Sequence, residues 1–348
     1  MDLFAKMAGH GFGEVHVRRD EASGLAAIIA IHDTRLGPAL GGCRFIHYDD
    51  EGAAFTDALR LARGMTYKAA ITGLALGGGK SVLIKPRTPF DRGALFSDFG
   101  RLIDHLGGRY ITAEDSGTAT ADMDTVRTQT RWVTGVSKEK GGSGDPSPFT
   151  ALGVRRGIEA AVKHKLNRDS LDGVRVAVQG LGHVGYYLCK ELNALGAKLT
   201  VCDIDAARVE RVRAEFSATV VDSTAIYDVD ADVFAPCALG AGINDDTVGR
   251  LKVKIVAGAA NNVLAEARHG DALKARAIAY APDYAINAGG LVNVAHEIKS
   301  YDETVVRAQI HKIYDTILEV LDRAQKADIS SHIVADRMAE ERLAQSAR

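Results

Sequence analysis

The stretch that decides the fold runs from Val174 to Asp203. In it an apolar segment is followed by the turn Gly180-Leu181-Gly182-His183-Val184-Gly185, a helical segment and a second apolar run. The first glycine of the turn permits a tight bend, the second lets the backbone approach a pyrophosphate, and the third lets the helix pack on the strand. The N-terminus of the helix then faces anionic phosphates. This order predicts a dinucleotide site rather than a purely structural glycine turn.

The acid that ends the second run, Asp203, favours NAD over NADP, because a carboxylate there accepts hydrogen bonds from a ribose diol and repels a 2′-phosphate. Further apolar runs near 218–221, 233–236, 254–257 and 277–280 alternate with helical segments and predict a doubly wound parallel sheet of Rossmann type. Ligands bind such sheets at the carboxyl ends of the strands. We therefore expect the cofactor also to contact Cys237, Ala238, Ala260, Asn262 and Asn287.

The composition is that of an ordinary globular protein: 348 residues, 46% of them hydrophobic and 25% charged, are enough for about two domains. The net charge of -2 indicates no nucleic-acid partner, and the apolar run Leu25–Ile31 is too short to span a bilayer. The four cysteines form no CxxC pair and are interpreted as reduced core thiols, and the histidines lack metal-ligand spacing. We expect a cytoplasmic protein with no metal, membrane or nucleic-acid partner.

Residues 1 to about 135 alternate short strands and helices, which predicts an α/β fold for this half of the chain as well. Strands are expected near Val15 and at Leu25–His32, and an amphipathic helix is expected at Glu51–Met65, with Lys68 just beyond its end. Between them the glycine-rich segment Gly37–Phe45 is interpreted as a turn that brings the backbone close to another group.

Three glycines precede Lys80 and the β-branched segment behind it. They do not form a P-loop, because Leu74 stands where the first glycine of that motif is required and Ser81 leads into a strand instead of a helix. The alternative is that the glycines line a cleft and hold the Lys80 amine beside a reacting atom, with Lys68 as a candidate cationic neighbour. A poorly solvated amine with such a neighbour can act as a base near neutral pH.

The acidic pair Glu114-Asp115 lies at the end of a strand expected within 109–117, and a helix is expected at Thr118–Thr134. The segment Lys138–Pro148 is rich in glycine, serine and proline, which predicts an exposed linker. We therefore expect two domains with a cleft between them. These are a substrate-binding, catalytic and oligomerisation domain at 1–140 plus 330–348, and a dinucleotide-binding domain at 141–329.

Including the dinucleotide turn, seven short motifs combine glycines with charged or amide side chains, and they span most of the chain. They are Gly37-Pro-Ala-Leu-Gly-Gly42, Met65-Thr-Tyr-Lys68, Leu76-Gly-Gly-Gly-Lys80, Thr112-Ala-Glu-Asp115, Gly180-Leu-Gly-His-Val-Gly185, Ala257-Gly-Ala-Ala-Asn-Asn262 and Ile286-Asn-Ala-Gly-Gly290.

Together these motifs resemble the glutamate/leucine/phenylalanine/valine dehydrogenase family, and most of all its leucine dehydrogenase branch. Seven motifs in the same order are far more specific than any one alone. The resemblance implies a two-domain α/β fold, a homo-oligomer, and the reversible NAD-dependent oxidative deamination of an L-amino acid to a 2-oxo acid and ammonium.

The resemblance also implies roles for single residues. Lys68 matches the lysine that binds the substrate α-carboxylate, and Asn262 matches an asparagine that contacts the same region. Lys80 matches the catalytic lysine that activates the water attacking the iminium carbon, and Asp115 matches the acid that moves protons to and from the amino group. On spacing alone, Lys68 and Asp115 could equally form an ordinary salt bridge, and Lys80 could be a surface lysine.

The substrate side chain is expected to be apolar. Glutamate-specific relatives carry a lysine where this chain has Leu40, and a distal carboxylate buried without a partner is strongly disfavoured. Leucine enzymes usually have valines where this chain has Leu291 and Ser116, so an aromatic amino acid stays open as the alternative substrate. The residues expected to line the substrate site, or else to be plain core, are Leu40, Gly41, Gly42, Ala113, Leu291 and Val294.

A rival interpretation is a non-catalytic sensor that binds NAD(H). Such a protein would need only the second half of the chain and would leave Lys68, Lys80 and Asp115 without a common purpose. It would usually also carry a partner surface, such as a basic helix-turn-helix, and we find none in the sequence. The sequence therefore favours an enzyme.

Overall fold

The computed structural model describes residues 3–238, 240–299 and 301–345, which divide into two compact units. Unit 1 comprises the described residues of Met1–Asp145, Asn293–Asp302 and Ala339–Arg348, and unit 2 those of Pro146–Val292 and Glu303–Met338. The division of tasks between domains 1–140 plus 330–348 and 141–329 stays a prediction, and its outermost residues, 1–2 and 346–348, lie outside the described residues.

Unit 1 is built on a mixed five-stranded sheet. Its strands are β1 (Glu14–Asp20), β2 (Leu25–Asp33), β3 (Ala39–Ile46), β4 (Gly77–Ile84) and β5 (Tyr110–Glu114). Their order across the sheet is β1-β2-β4-β3-β5. The pairs β1/β2 and β2/β4 are antiparallel, whereas β4/β3 and β3/β5 are parallel.

Helices cover both faces of this sheet. They are α1 (Leu3–Gly9), α2 (Glu51–Ile71), α3 (Arg92–His105) and α4 (Thr120–Arg127). Phe96 of α3 packs with Phe45 and Tyr110 on one face, and Leu59 of α2 packs with Val82 on the other. Because successive side chains of a strand point to opposite faces, every second residue of β3, β4 and β5 faces α2.

Unit 2 is built on a six-stranded parallel sheet. Its strands are β6 (Arg175–Gln179), β7 (Lys198–Cys202), β8 (Thr219–Val220), β9 (Val233–Pro236), β10 (Ile255–Val256) and β11 (Ala279–Tyr280). Their order is β11-β10-β9-β6-β7-β8. Successive strands are added on one side of β6 as far as β8 and on its other side from β9 onward, as in a doubly wound Rossmann fold. Such a change in strand order places a ligand site at the carboxyl end of β6.

The remaining helices lie wholly or partly in unit 2. They are α5 (Ser147–Leu166), α6 (His183–Ala194), α7 (Ala206–Phe216), α8 (Ala267–Ala275), α9 (Asp283–Ile286), α10 (Gly289–His296), α11 (Glu303–His311), α12 (Ile313–Ala327) and α13 (Ser331–Gln345). Within the described ranges, none of the helices is long and apolar enough to cross a bilayer.

The predicted α/β fold with a parallel nucleotide-type sheet in the second half is confirmed, but several local predictions are wrong. Gly37–Phe45 is mostly the strand β3 rather than a turn, and α2 continues past Met65 to Ile71, so Lys68 lies in its last turn. The helix expected at Thr118–Thr134 ends at Arg127. Glycines without side chains conceal strand periodicity, which explains the error at β3.

The predicted linker at Lys138–Pro148 is not simply exposed. Ser143 is 3% exposed, and its backbone N–H donates to Glu297 Oε1 at 2.9 Å. The second carboxylate oxygen of Glu297 accepts a hydrogen bond from the Gly135 N–H at 2.8 Å. A single side chain from Asn293–Asp302 therefore satisfies one backbone donor within this segment and one just before it, which a composition-based argument cannot anticipate.

Candidate active site

Three neighbouring strands of unit 1 bring the candidate catalytic residues together on the face that α2 covers. Strand register pairs Cys43 of β3 with Ser81 of β4, and Gly42 of β3 with Ala113 of β5. Lys80 and Gly42, each one residue before the first pair, therefore lie abreast. Asp115 follows β5 on the same face as Ala113. The lysine must pass over Gly42 to meet the acid.

Lys80 and Asp115 form a close ion pair. The Lys80 Nζ donates to Asp115 Oδ2 at 2.5 Å, and Lys80 is only 5% exposed. The alternative that Lys80 is a surface lysine is therefore wrong. A second cation, Arg44 of β3, donates from Nε to the same Asp115 oxygen at 3.2 Å.

The absence of a side chain at Gly42 makes this pair possible. A Cβ atom at that position would lie 2.7 Å from the Asp115 Cβ, 2.8 Å from the Glu114 carbonyl oxygen and 3.3 Å from the Lys80 Nζ. Gly41 is equally constrained on the other face, where its Cβ would lie 1.7 Å from the carbonyl oxygen of Gly79. The glycines of β3 therefore let a lysine and an acid from flanking strands meet.

The Asp115 carboxyl is held in its ionised form. Burial opposes ionisation, but the charges of Lys80 and Arg44 and the hydrogen bond from Lys80 outweigh burial and hold the pKa of Asp115 below its ordinary range. The acid is therefore a carboxylate at neutral pH.

Lys68 and two expected pocket residues lie on the same face of unit 1. Lys68 is half-buried in the last turn of α2, whose Thr66 packs so tightly on β4 that a Cβ at Gly78 would lie 2.0 Å from the Thr66 nitrogen. Leu40 precedes Gly42 by two residues, Ala113 precedes Asp115 by two, and both are buried. Val294, also in unit 1, is buried, whereas Leu291 and Asn262 belong to unit 2.

In unit 2 the glycine turn has the geometry that a dinucleotide requires. Gly180 has a φ of 94°, and a Cβ there would lie 2.8 Å from the Ala238 nitrogen. At Gly185 a Cβ would lie 2.0 Å from the Gly180 carbonyl oxygen, so the start of α6 touches the turn. The Leu181 N–H donates to Asp203 Oδ2 at 2.5 Å, which fixes this acid beside the turn. His183 and Val184 begin α6 behind it.

The carboxyl edge of the parallel sheet carries an unsatisfied buried acceptor. Asn287 is 6% exposed, and its Nδ2 donates to the carbonyl oxygen of Ala259 at 3.0 Å and to Asn261 Oδ1 at 2.8 Å. Its Oδ1 has no hydrogen-bond partner among the described residues. Buried polar atoms are rarely left unpaired, so a donor from a ligand, such as a carboxamide, fits this position.

Other expected cofactor contacts lie at the same edge. The Cys237 N–H donates to the carbonyl oxygen of Gln179 at 2.7 Å, which ties the end of β9 to the end of β6, and Ala238 lies beside the turn at Gly180. Asn262 has a φ of 52°, and Ala260 is buried. The residues present therefore fit a dinucleotide.

Sequence reasoning missed Arg44 and its partner Asp57. Both were within segments already singled out, but neither belongs to a glycine motif of the kind that marks a ligand site. The usable signal was the period of two: Arg44 follows Gly42 by two residues, and an arginine on the inner face of a strand needs acidic partners.

A Rossmann fold in one unit and a buried amine–carboxylate pair in the other are the parts needed by an enzyme that removes a hydride and an amino group from its substrate. Comparison with known proteins agrees. Residues 12–132 match the Glu/Leu/Phe/Val dehydrogenase dimerisation domain, and residues 141–211 and 203–348 match the glutamate/leucine/phenylalanine/valine dehydrogenase family. The class is that of the NAD(P)-dependent amino acid dehydrogenases.

The chain belongs to the glutamate/leucine/phenylalanine/valine dehydrogenase family. It is similar to the leucine dehydrogenase of Geobacillus stearothermophilus, with 53% identity over 343 residues, covering 99% of this chain and 94% of the relative. It is 45% identical to the L-tryptophan dehydrogenase of Nostoc punctiforme over 350 residues, covering 100% and 98%. The crystal structure of that tryptophan enzyme superposes with a TM-score of 0.88 at 43% identity, over 99% of each chain. The predicted family and enzyme class are confirmed.

Proposed function

We propose that this protein catalyses the reversible NAD-dependent oxidative deamination of a branched-chain L-amino acid, such as leucine, to its 2-oxo acid and ammonium. One observation carries the proposal: the buried Lys80–Asp115 pair, formed across Gly42 on one face of the unit 1 sheet. The similarity to leucine dehydrogenases at 53% and 50% identity supports the choice of substrate.

Each group of the pair has a distinct task in this reaction. When bound, NAD accepts the hydride that leaves the substrate α-carbon. Lys68 binds the α-carboxylate, for which a compact ammonium is suited, and Asn262 contacts the same region. Lys80 takes a proton from the water that adds to the iminium carbon. Asp115, an ionised carboxylate, accepts and returns protons at the substrate nitrogen, which leaves as ammonium.

The residues at the substrate side chain favour an apolar amino acid. Leu40 and Ala113 flank the pair on its own face of the sheet and are buried, and neither can hold a carboxylate. We infer that Leu40, Gly41, Gly42, Ala113, Leu291 and Val294 line the substrate site. An apolar pocket discriminates by about 1–3 kcal/mol per methylene, so several branched-chain amino acids are expected to react.

An aromatic amino acid is the second candidate substrate. Leu291 and Ser116 depart from the pattern usual in leucine enzymes, and the relative from Nostoc punctiforme acts on tryptophan according to its name. Its identity of 45% is lower than the 53% of the Geobacillus leucine enzyme. Leucine is therefore the better supported of the two substrates.

We infer that the cofactor is NAD rather than NADP. Asp203 is held at the turn by hydrogen bonds from the Leu181 N–H to Oδ2 and from the Asp205 N–H to Oδ1, the latter at 2.8 Å. Carboxylate oxygens can each accept a further hydrogen bond, here from a ribose diol, and a 2′-phosphate would be repelled by their negative charge.

We also infer that the protein is a homo-oligomer, because residues 12–132 match a dimerisation domain. We further infer a cytoplasmic location.

Steady-state kinetics with a panel of amino acids tests the proposal. The purified protein is expected to reduce NAD with leucine, valine or isoleucine at a higher kcat/KM than with phenylalanine or tryptophan, and to oxidise glutamate very poorly. Glutamate should react poorly because Leu40 cannot pair with the distal carboxylate of its side chain. If glutamate is the best substrate, the argument from Leu40 is wrong, and if tryptophan is best, the aromatic alternative holds.

The same assay with NADP tests the role of Asp203. We expect a higher kcat/KM with NAD than with NADP, and the substitution Asp203→Ala should narrow that ratio. A ratio that Asp203→Ala leaves unchanged would remove Asp203 from cofactor selection.

A further inference from the structure

Arg44 links the catalytic pair to helix α2. It lies on β3 two residues beyond Gly42, and its side chain is 21% exposed. Its Nε donates to Asp115 Oδ2 at 3.2 Å, and its Nη1 donates to Asp57 Oδ2 of α2 at 2.8 Å. The planar guanidinium therefore bridges two carboxylates on different elements, which a lysine ammonium cannot do with the same geometry.

The second carboxylate of this bridge is itself fixed. Asp57 Oδ2 also accepts a hydrogen bond from the Tyr48 hydroxyl at 2.8 Å, and its Oδ1 accepts one from Arg60 Nη2 at 3.3 Å. Burial opposes ionisation of Asp57, but the bonds from Tyr48 and Arg44 hold its pKa below the ordinary value. Arg44 is thus held in one orientation by a permanent negative charge.

Lys80 and Arg44 donate to the same oxygen of Asp115, and this has a consequence for the reaction. To act as a base, Lys80 must lose a proton, and it then no longer supplies positive charge to the acid 2.5 Å away. The charge of Arg44 persists, because a guanidinium does not deprotonate in proteins. With Arg44 in place the proton has less tendency to settle on Asp115 and quench the pair.

We propose that Arg44 is a positioning residue of the reaction, which keeps Asp115 ionised and directed at Lys80 while Lys80 exchanges its proton. The inference rests on the proposed function and deepens it. Arg44 need not touch substrate or cofactor, because it acts through Asp115. The negative charge of Asp57 offsets part of the positive charge that Arg44 presents to the Lys80–Asp115 pair.

The charged and titratable groups around the pair determine the sign of the expected effects. Positive charge comes from β4 and β3, and negative charge comes from the acids on β5 and α2. The groups that interact with Asp115 are Lys80 on β4, Cys43 and Arg44 on β3, and Glu114 on β5, and the groups that interact with Arg44 are Asp115, Asp57 on α2 and Tyr48.

Two substitutions of opposite charge effect test the proposal. Arg44→Met removes a fixed positive charge, so a proton is harder to remove from the pair. The acid limb of the pH profile, where kcat/KM rises as the pair loses this proton, should therefore move to higher pH by about 1 unit. Asp57→Asn removes a negative charge from the far side of Arg44, so the limb should move to lower pH by a smaller amount. We also expect Arg44→Met to lower kcat about 10-fold or more, because Asp115 loses its orientation.

Arg60→Met is the matched control. Arg60 also bonds Asp57, but its side chain is 60% exposed, so water and salt screen its charge. We expect the acid limb to stay where it is in the unchanged protein. Arg44→Lys keeps the charge without the two-carboxylate bridge, so it should lower kcat while restoring most of the limb position.

A second readout does not depend on turnover. Acetic anhydride acetylates only the neutral form of an amine, and peptide mass spectrometry of the full-length protein gives the pH at which Lys80 is half as reactive as at its maximum. We expect that midpoint to move up in Arg44→Met and down in Asp57→Asn. If Arg44→Met does not fold, Asp57→Asn and Arg44→Lys still decide the question.

The two readouts separate failure of this inference from failure of the proposed function. If the protein oxidises no amino acid, but its acetylation midpoint moves up in Arg44→Met and down in Asp57→Asn, the function is refuted and the role of Arg44 is supported. The role of Arg44 is overturned if the enzyme is active but neither the acid limb nor the acetylation midpoint shifts in Arg44→Met and Asp57→Asn. It is also overturned if Arg60→Met shifts both by the same amount.

Discussion

Substitution Lys80→Met is expected to lower kcat for leucine oxidation by about 10³–10⁴-fold, the range for loss of a general base. The affinity for NADH should change less than about twofold, because the dinucleotide turn belongs to unit 2 and Lys80 to unit 1. Methionine is close to lysine in length and tolerates burial, so the substitution removes the amine from the 2.5 Å contact with Asp115 without opening a cavity.

Lys85→Met is the matched control for Lys80→Met. Lys85 follows β4 directly, and its Nζ lies 6.0 Å from the centre of the Phe45 ring, on the other face of the sheet from the pair. We expect kcat within about twofold of the unchanged protein, because this half-buried lysine lies away from the pair. Comparable losses in both variants would mean that Lys80 contributes only to the fold.

Substitution Gly42→Ala should be almost as damaging, although it adds a single methyl group. The new Cβ would lie 2.7 Å from the Asp115 Cβ and 3.3 Å from the Lys80 Nζ, so the acid and the amine must separate. A displacement of about 1 Å in reacting groups costs about 100-fold in rate, and we expect at least that loss in kcat/KM. Steady-state kinetics together with the thermal unfolding midpoint measure it.

Gly64→Ala provides the comparison within the same unit. Gly64 is an exposed residue of α2, and a Cβ there would meet nothing within 4 Å. Alanine favours a helix over glycine by about 1 kcal/mol, so this variant should unfold at a slightly higher temperature and keep full activity. Retention of full activity by Gly42→Ala would contradict the assignment of the Lys80–Asp115 pair as the catalytic centre.

The dinucleotide-binding fold could be predicted from sequence because its motif carries its own context. Strand, glycine turn, helix and acid follow one another between Val174 and Asp203. At Gly180 and Gly185 the structure shows the close backbone approaches that require glycine. No long-range contact has to be guessed for such a motif. The parallel sheet then follows from the alternation of strands and helices.

The catalytic face of unit 1 was harder to predict because it depends on register between strands distant in sequence. Glycines at Gly41 and Gly42 suggested a turn, yet their role is to let β3 lie between Lys80 and Asp115. The only local sign of Arg44 was its position two residues beyond Gly42, on the same face of β3. Its importance comes from two carboxylates, 13 and 71 residues away along the chain.

The length of α2 shows the same dependence on tertiary contacts. The amphipathic pattern at Glu51–Met65 accounts for its first four turns, but the helix continues to Ile71, where Thr66, Ala69 and Ala70 are buried within unit 1. The periodic pattern of the first turns does not extend through Thr66–Ile71, so it gave no sign of the last turns. Consequently Lys68 is held on the last turn of a helix, with less freedom than a loop residue would have.

The most direct test of the account is the crystal structure of the protein with NAD and 4-methyl-2-oxopentanoate, the 2-oxo acid of leucine. We predict that the carboxylate of the oxo acid contacts Lys68, and that its carbonyl carbon lies within about 3.5 Å of the Lys80 Nζ or one water molecule away. An oxo acid bound remote from Lys80, with the Lys80–Asp115 pair unapproached, would contradict the proposed catalytic centre.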